Sequence, residues 1–197
     1  MHRRTALHLL CATALPAALA ACGERKASFN AVDVTGAEYA RDFPLPDVDG
    51  KVRSIREFAG KVVVVFFGYT QCPDVCPTTL AEIAEARKLL GADGAKVQAV
   101  FITVDPERDT PELLKAYVAN FGTDVVALRG TPEQTAAVAK DFKVFYKKVD
   151  GKTPGSYTMD HSAASFIYDP QGRLRLYARY GAGAPALAGD LRQLLAA

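Results

Sequence analysis

Apolar residues in the middle of the chain alternate between short unbroken runs and longer segments with helical spacing. The first run, residues 62–67, contains only valine and phenylalanine, which is typical of a strand buried on both faces. Proline follows Thr110 and Thr131, so both threonines are predicted helix caps. The predicted elements are a strand at 62–67, a helix at 77–90, a strand at 97–104, a helix at 110–120, a strand at 125–128 and a helix at 131–140.

Turn signals flank this alternating core. Residues 42–52 are predicted to form an N-terminal β-hairpin, with Asp49-Gly50 as the turn. Alternating strands and helices that end in a hairpin and a helix indicate an α/β fold with a mixed sheet flanked by helices. The remaining predicted elements are a β segment at 144–148, a hairpin of strands 165–168 and 174–177 around the turn 169–172, and a closing helix at 186–195.

The N-terminal segment predicts export. Arg3 and Arg4 precede an apolar stretch at 6–21 that is short and interrupted for a membrane span and is typical of a secretory signal. It ends at Leu19-Ala20-Ala21-Cys22, which resembles a bacterial lipobox, so Cys22 is expected to be lipidated. An ordinary signal peptide with Cys22 as a bystander is the alternative. We expect a signal peptide at 1–21, a flexible tether at 22–39 and one domain at 40–197.

Length and charge exclude some classes of function. The chain has 197 residues, of which 49% are apolar, and this suits one domain with an ample core. The formal net charge is +2. The predicted signal peptide removes two basic residues and no acidic residue, so the mature chain is balanced. No nucleic-acid partner is therefore expected.

Two cysteines, Cys72 and Cys76, follow the run at 62–67. Functional residues of open α/β sheets collect beyond the carboxyl ends of strands, and residues four apart at a helix start share one face. The helix N-terminus is expected to favour thiolate over thiol. In an exported chain the pair can close a disulfide, and it can also hold a thiophilic metal. A purely structural disulfide is disfavoured because so short a loop contributes little stability.

His161 is the one histidine that remains after the predicted signal peptide is removed. It precedes the predicted strand 165–168, at a strand entry expected to face the cysteines. Two thiolates and an imidazole suit copper or zinc, and closed structural zinc sites usually have four protein ligands, so three ligands favour copper and leave zinc open. Met159 is a weak further candidate ligand, with a core role as its alternative. Tyr69 is a candidate wall of the site, with a core role as its alternative.

Three segments in this order resemble the Sco/SenC family: GYTQCPDVCP at 68–77, VDPERDTP at 104–111, and Asp160-His161-Ser162. Members of that family are membrane-tethered copper-binding proteins with a thioredoxin-like fold, and they help assemble the dinuclear copper A (CuA) centre of cytochrome c oxidase. The resemblance extends from about Tyr39 to the C-terminus. It implies a thioredoxin-like domain in this chain.

The resemblance implies Cys72, Cys76 and His161 as ligands of one copper ion, Cu(I), Cu(II) or both. It also suggests that Asp105 supports the ligands from outside the ligand set or fixes the loop. The alternative is that Asp105 is simply a turn residue. Asp74, inside the cysteine loop, is a second candidate for such a supporting role. The alternative is that it is a solvent-exposed acidic residue of the loop. The implied partners are a copper donor protein, a copper acceptor identified with cytochrome c oxidase subunit II, and a membrane reached through a lipid anchor. The implied location is the periplasmic or outer side of a bacterial membrane.

Two enzymatic functions compete with a copper metallochaperone. A thiol–disulfide oxidoreductase would use Cys72 and Cys76 as a redox pair that reduces the cysteines of a target protein. The cysteine loop is one residue longer than the thioredoxin C-x₂-C motif, and the chain contains no tryptophan, which weakens this alternative. A thiol peroxidase would need a nearby arginine, and the sequence has none between Arg56 and Arg87. Under the chaperone hypothesis, a Cys72–Cys76 disulfide prevents copper binding.

Overall fold

A computed structural model describes residues 28–122 and 124–197. The strands are β1 (Val32–Asp33), β2 (Leu45–Pro46), β3 (Val52–Arg53), β4 (Val62–Gly68), β5 (Val97–Thr103), β6 (Val126–Leu128), β7 (Tyr146–Asp150), β8 (Tyr157–His161), β9 (Ser165–Tyr168) and β10 (Leu174–Ala178). The helices are α1 (Val75–Leu89), α2 (Pro111–Val118), α3 (Pro132–Asp141) and α4 (Ala184–Leu195), with 3-10 turns at Ile55–Phe58 and Gly91–Lys96. Within the described residues, no helix combines the length and the apolar character needed to cross a membrane.

A six-stranded sheet forms the centre of the fold, in the order β1-β10-β9-β4-β5-β6. β4 pairs in parallel with β5 and antiparallel with β9, and β5 pairs in parallel with β6. Every residue of β4 is buried, as its run of valine and phenylalanine predicts. The predicted mixed sheet flanked by helices is confirmed.

Two helices, α2 and α3, begin where the sequence predicts threonine caps. The Thr110 hydroxyl accepts a hydrogen bond from the backbone N–H of Leu113, and Thr131 forms a capping box with Gln134. In both helices proline occupies the first turn, where a missing N–H costs nothing. α1 packs against α4, and α2 contacts β6. α1 follows β4 directly in the chain, so its first turn lies near the end of that strand.

The predicted N-terminal hairpin is present as β2 and β3, which pair antiparallel. Its turn closes through the backbone N–H of Asp47, which donates to the Lys51 carbonyl at 2.8 Å. Gly50 has φ +85°, a conformation that glycine adopts without steric cost. The predicted Asp49-Gly50 turn therefore has its expected physical basis.

The prediction of a flexible tether at 22–39 needs correction over its described part. Residues 32–33 form β1, which pairs antiparallel with β10 at the edge of the sheet. The carboxylate of Asp190 in α4 accepts hydrogen bonds from the backbone N–H groups of Asn30 and Ala31, both at 2.8 Å. A two-residue strand and one side-chain clamp leave no periodic apolar pattern, so this docking is not predictable from the residues alone. The predicted signal peptide and Cys22 lie outside the described residues.

A second correction concerns the segment that carries His161. The sequence predicts a β segment at 144–148 and places His161 in a loop before the next strand. In the structure, β7 and β8 form a separate antiparallel hairpin, and His161 is the last residue of β8, opposite Tyr146. β8 alternates exposed residues with buried or half-buried ones over only five positions, and two of these five are apolar, which is too short and weak a pattern to identify a strand.

The clamp on the N-terminal segment can be tested with Asp190→Ala. Because Asp190 is 1% exposed and accepts from two backbone N–H groups, its loss leaves both donors without this partner and should cost about 1–3 kcal/mol of unfolding free energy. Urea unfolding measures the cost, and limited proteolysis should show earlier cleavage near residue 32. Gln193→Ala is the matched control on α4, since its exposed amide makes one bond to the Ser28 carbonyl. Equal stability of the two variants would contradict the clamp.

Candidate metal centre

The connection from β4 to α1 brings the two cysteines together. β4 ends at Gly68, and α1 begins at Val75, so Cys76 lies in the first turn of the helix. Cys76 is fully buried and Cys72 is half-buried, and both are free thiols. The backbone N–H of Cys76 donates to Cys72 Sγ at 3.4 Å. The loop before α1 therefore places the Cys72 sulfur beside the sulfur of Cys76 in the first helical turn.

His161 completes a three-residue group with the cysteines. One donor atom from each of Cys72, Cys76 and His161 lies within 4.8 Å of the other two, and Cys76 Sγ is 3.4 Å from His161 Nε2. Within the part of the chain that the structure describes, no other group of three or more histidine, cysteine or acidic residues has this geometry. The structure thus brings together all three ligands that the sequence predicts.

The imidazole of His161 is oriented for binding through Nε2. Nδ1 is 3.0 Å from the carbonyl oxygen of Ser162, and because a carbonyl only accepts, Nδ1 carries the proton. Burial lowers the pKa of His161, which keeps the ring neutral near pH 7. The rings of Phe66 and Tyr69 meet it edge-on, with centroids 6.1 and 5.9 Å away. The Nε2 lone pair is therefore available on the side of the sulfurs.

The expected thiolate at the helix N-terminus needs correction for Cys76. Burial raises the pKa of this thiol well above its usual value, since the enclosed site cannot solvate a negative charge. The adjacent Cys72 raises it further, while a backbone hydrogen bond from Tyr69 acts in the opposite direction. Without a bound cation, Cys76 is a thiol near pH 7. A metal must displace its proton to bind.

Gly68 makes room for the buried sulfur. A Cβ at this position would lie 2.7 Å from Cys76 Sγ and 2.8 Å from a ring carbon of Phe101. Both distances are far inside van der Waals contact, and both atoms are packed in the core. Cys76 can therefore occupy its position only because residue 68, at the end of β4, is glycine.

The loop after β5 supports the site from outside. The Asp105 carboxylate is 3% exposed and accepts from the guanidinium of Arg108 and from the Tyr157 hydroxyl, the latter at 2.9 Å. Its backbone N–H donates to the Thr103 hydroxyl. These contacts favour the loop-fixing role for Asp105 over a simple turn role. Arg108 is a participant that the sequence reasoning missed, because its partner Tyr157 lies 49 residues away in the chain.

Asp109 is a second missed residue. Its carboxylate is fully buried and accepts from the Thr103 hydroxyl at 2.5 Å, the Thr70 hydroxyl at 2.6 Å and the Thr70 backbone N–H. Burial raises the pKa of Asp109. These bonds tie the start of the cysteine loop to the end of β5. Asp109 could have been identified from the sequence because it lies in the VDPERDTP segment at 104–111.

The remaining candidates differ in their surroundings. Asp74 is exposed, and the Thr78 hydroxyl lies 3.4 Å from its carboxylate, which favours a solvated loop acid. Met159 is 9% exposed and packs in the core, which favours its core role. Tyr69 is buried and its ring walls the site beside His161. The guanidinium carbon of Arg108 is 5.8 Å from the centre of the Tyr69 ring, so a distant arginine does approach the site.

Gly68→Ala tests the space requirement of the sulfur. The added methyl group must displace Cys76 Sγ or the Phe101 ring, so we expect a stability loss of about 1–3 kcal/mol. We also expect metal affinity to fall about tenfold or more. Thermal unfolding and a competition titration with Cu(I) measure the two effects. Gly189→Ala is the control, because its Cβ meets Asn30 at an ordinary 3.7 Å. Unchanged affinity in Gly68→Ala would contradict the steric role.

Comparisons with known proteins identify relatives over most of the chain. Residues 32–196 match the family model described as SCO1/SenC. An SCO2-like protein of Rickettsia felis is 38% identical over 133 residues, which cover 67% of this chain and 65% of that protein. The mitochondrial SCO2 homolog of Bos taurus is 35% identical over 158 residues, covering 79% of this chain and 59% of that protein. The chain thus spans somewhat less than two thirds of the length of these curated relatives.

Solved structures agree in fold. The structure of Bradyrhizobium japonicum ScoI with copper bound is 42% identical, with a TM-score of 0.70 over 78% of this chain and 97% of that one. Apo Sco1 from Thermus thermophilus is 35% identical, with a TM-score of 0.76 over 86% and 99%. Yeast Sco1 with copper bound is 28% identical, with a TM-score of 0.70 over 77% and 85%. This chain belongs to the SCO1/SenC family and has its thioredoxin-like fold.

Proposed function

We propose that this protein is a copper metallochaperone that holds one copper ion through Cys72, Cys76 and His161. The observation that carries the proposal is the grouping of two sulfurs and one imidazole nitrogen within 4.8 Å. We propose further that it helps assemble the CuA centre of cytochrome c oxidase, as the family resemblance implies.

The donor set fits copper. Thiolate ligands select Cu(I), and imidazole suits copper as well as zinc. Structural zinc sites usually close with four protein ligands, whereas this group offers three. Two relatives above 25% identity, from Bradyrhizobium japonicum and yeast, are described with copper bound. The soft sulfur donors and the presence of three rather than four protein ligands together favour copper over zinc.

The unequal burial of the ligands suggests an order of exchange. Cys72 is half-buried, whereas Cys76 is enclosed by the core. An acceptor sulfur can therefore reach the cation from the side of Cys72, while Cys76 and His161 still hold it. When the ion leaves, the high pKa of Cys76 favours return of its proton. Reprotonation makes release from the buried sulfur easier.

Oxidation of the cysteine pair would prevent copper binding. The two thiols would lose two electrons and two protons to an external oxidant and form one S–S bond, which removes both thiolate ligands. The sulfurs already lie within 4.8 Å of each other, and the half-buried Cys72 is the accessible one. We propose this Cys72–Cys76 disulfide as an off-state of the site.

The proposed setting follows from the N-terminal signals. We propose export, lipidation at Cys22 and attachment to a bacterial membrane, with the domain on its periplasmic or outer side. A SCO1/SenC family protein of Bacillus anthracis, 27% identical, is described as a lipoprotein, which supports this setting. The proposed partners are a copper donor protein and cytochrome c oxidase subunit II as acceptor.

The ligand assignment is tested with His161→Ala. Loss of the imidazole should lower copper affinity by more than the 10–100-fold that loss of an outer partner typically costs. The cysteines should still form a disulfide when oxidised. A competition titration of the reduced protein measures affinity, and thiol counting measures oxidation. Met159→Leu is the neighbouring control and should bind copper as the parent does. Parent-like copper affinity in His161→Ala would refute the ligand set.

A copper chaperone should transfer copper to an acceptor protein, whereas a thiol–disulfide oxidoreductase should reduce a disulfide substrate. When copper-loaded protein is mixed with the apo copper domain of cytochrome c oxidase subunit II, copper should appear in the acceptor after the proteins are separated. Metal analysis of each fraction measures this transfer. Copper-free reduced protein should turn over insulin disulfides much more slowly than thioredoxin. Brisk insulin reduction without copper transfer would favour the oxidoreductase.

A further inference from the structure

The hairpin that carries His161 is not a strand pair of the main sheet. Among the described residues, β7 and β8 pair with each other, and the central sheet is built from six other strands. The end of the hairpin is closed locally, because Ser162 N–H donates to the Phe145 carbonyl and Phe145 N–H donates to the Ser162 hydroxyl. These bonds shape the hairpin without attaching it to the body. Beyond the chain connections at its two ends, contacts of side chains with the body therefore help to set where His161 lies.

Arg108 connects the hairpin to the cysteine loop. Its Nη1 donates to the Tyr157 carbonyl at the start of β8, at 2.8 Å, and to the Gln71 side-chain oxygen at 3.1 Å. Gln71 immediately precedes Cys72 in the sequence. The guanidinium carbon also lies 3.5 Å from the centre of the Tyr157 ring. One guanidinium group thus contacts the strand of one ligand and the loop of another.

The orientation of this guanidinium is itself fixed. Its Nε donates to the buried carboxylate of Asp105, whose other oxygen accepts from the Tyr157 hydroxyl at 2.9 Å. Arg108 is 19% exposed and Asp105 is 3% exposed, so solvent screens the pair little. A planar guanidinium can serve a carboxylate and two oxygen acceptors in fixed directions, which a lysine ammonium cannot do in the same way.

We infer that Arg108 is a positioning residue that sets the distance between the His161 imidazole and the two sulfurs by fastening the β7–β8 hairpin to the cysteine loop. Tyr157 and His161 are the two ends of β8, so a displacement at the fastened end is carried along the strand. Arg108 donates no ligand atom and acts on copper through His161. This inference rests on the proposed copper function.

Arg108→Lys tests the inference while retaining a positive charge beside Asp105. In the otherwise unchanged full chain, we expect copper(II) affinity to fall about tenfold, the lower part of the range for a support of a metal ligand. In the His161→Ala background, the same substitution should change affinity less than twofold, because the residue through which it acts is absent. Competition titrations of all four proteins measure this cycle.

A spectroscopic signal separates positioning from general stability. Copper(II) electron paramagnetic resonance should show altered nitrogen coupling from His161 in Arg108→Lys. Arg173→Lys is the matched control, since Arg173 bonds the fully buried carboxylate of Asp169 in the turn between β9 and β10. It should leave both the nitrogen coupling and the copper affinity unchanged.

If Arg108→Lys does not fold, the paired variant Asp105→Asn, Arg108→Gln replaces it, because it leaves no unpaired buried charge. The same pattern is expected for it. Equal affinity losses with and without His161, or no loss in either background, would overturn the inference and leave the copper function standing. Parent-like affinity in His161→Ala alone would overturn the copper function and the inference with it.

Discussion

The site depends on one contact, the approach of Cys76 Sγ to His161 Nε2 at 3.4 Å. It joins two parts of the molecule that are held in different ways. Cys76 is held by the backbone of α1, and its sulfur fills the space that a side chain at Gly68 would otherwise occupy. His161 lies on a hairpin outside the main sheet, and side-chain contacts such as those of Arg108 help to hold it against the body. The core thus holds the Cys76 sulfur, and a hairpin outside the main sheet supplies the nitrogen.

Burial gives the ligands properties that suit a site for transient binding. It raises the pKa of the Cys76 thiol and lowers that of the His161 imidazolium, so each metal-free side chain is neutral near pH 7. The empty site therefore avoids isolated buried charges, which would destabilise the fold. Binding of a cation replaces a proton on sulfur. Copper affinity thus includes a proton-release step that the protein environment controls.

The sequence predicts the core of the fold well because its signals there are strong and local. The valine and phenylalanine run of β4 and the Thr-Pro helix starts identify elements without tertiary information. The three candidate ligands are also predictable, because few soft donors remain once the predicted signal peptide is set aside. By contrast, β8 is a short strand in which only Tyr157 and Met159 are apolar, and the contacts of Arg108 and of Asp190 join residues far apart in sequence. Such long-range polar contacts leave no periodic pattern.

The sequence separation within the site also constrains how the protein matures. Cys76 and His161 are 85 residues apart, and β4 pairs with β9, which follows His161 in the chain. Contacts over such distances form late, since the loop between them must first be closed. During folding, the two thiols therefore exist before the imidazole reaches them. The chain must therefore pair β4 with β9 before all three side chains can meet at one metal site.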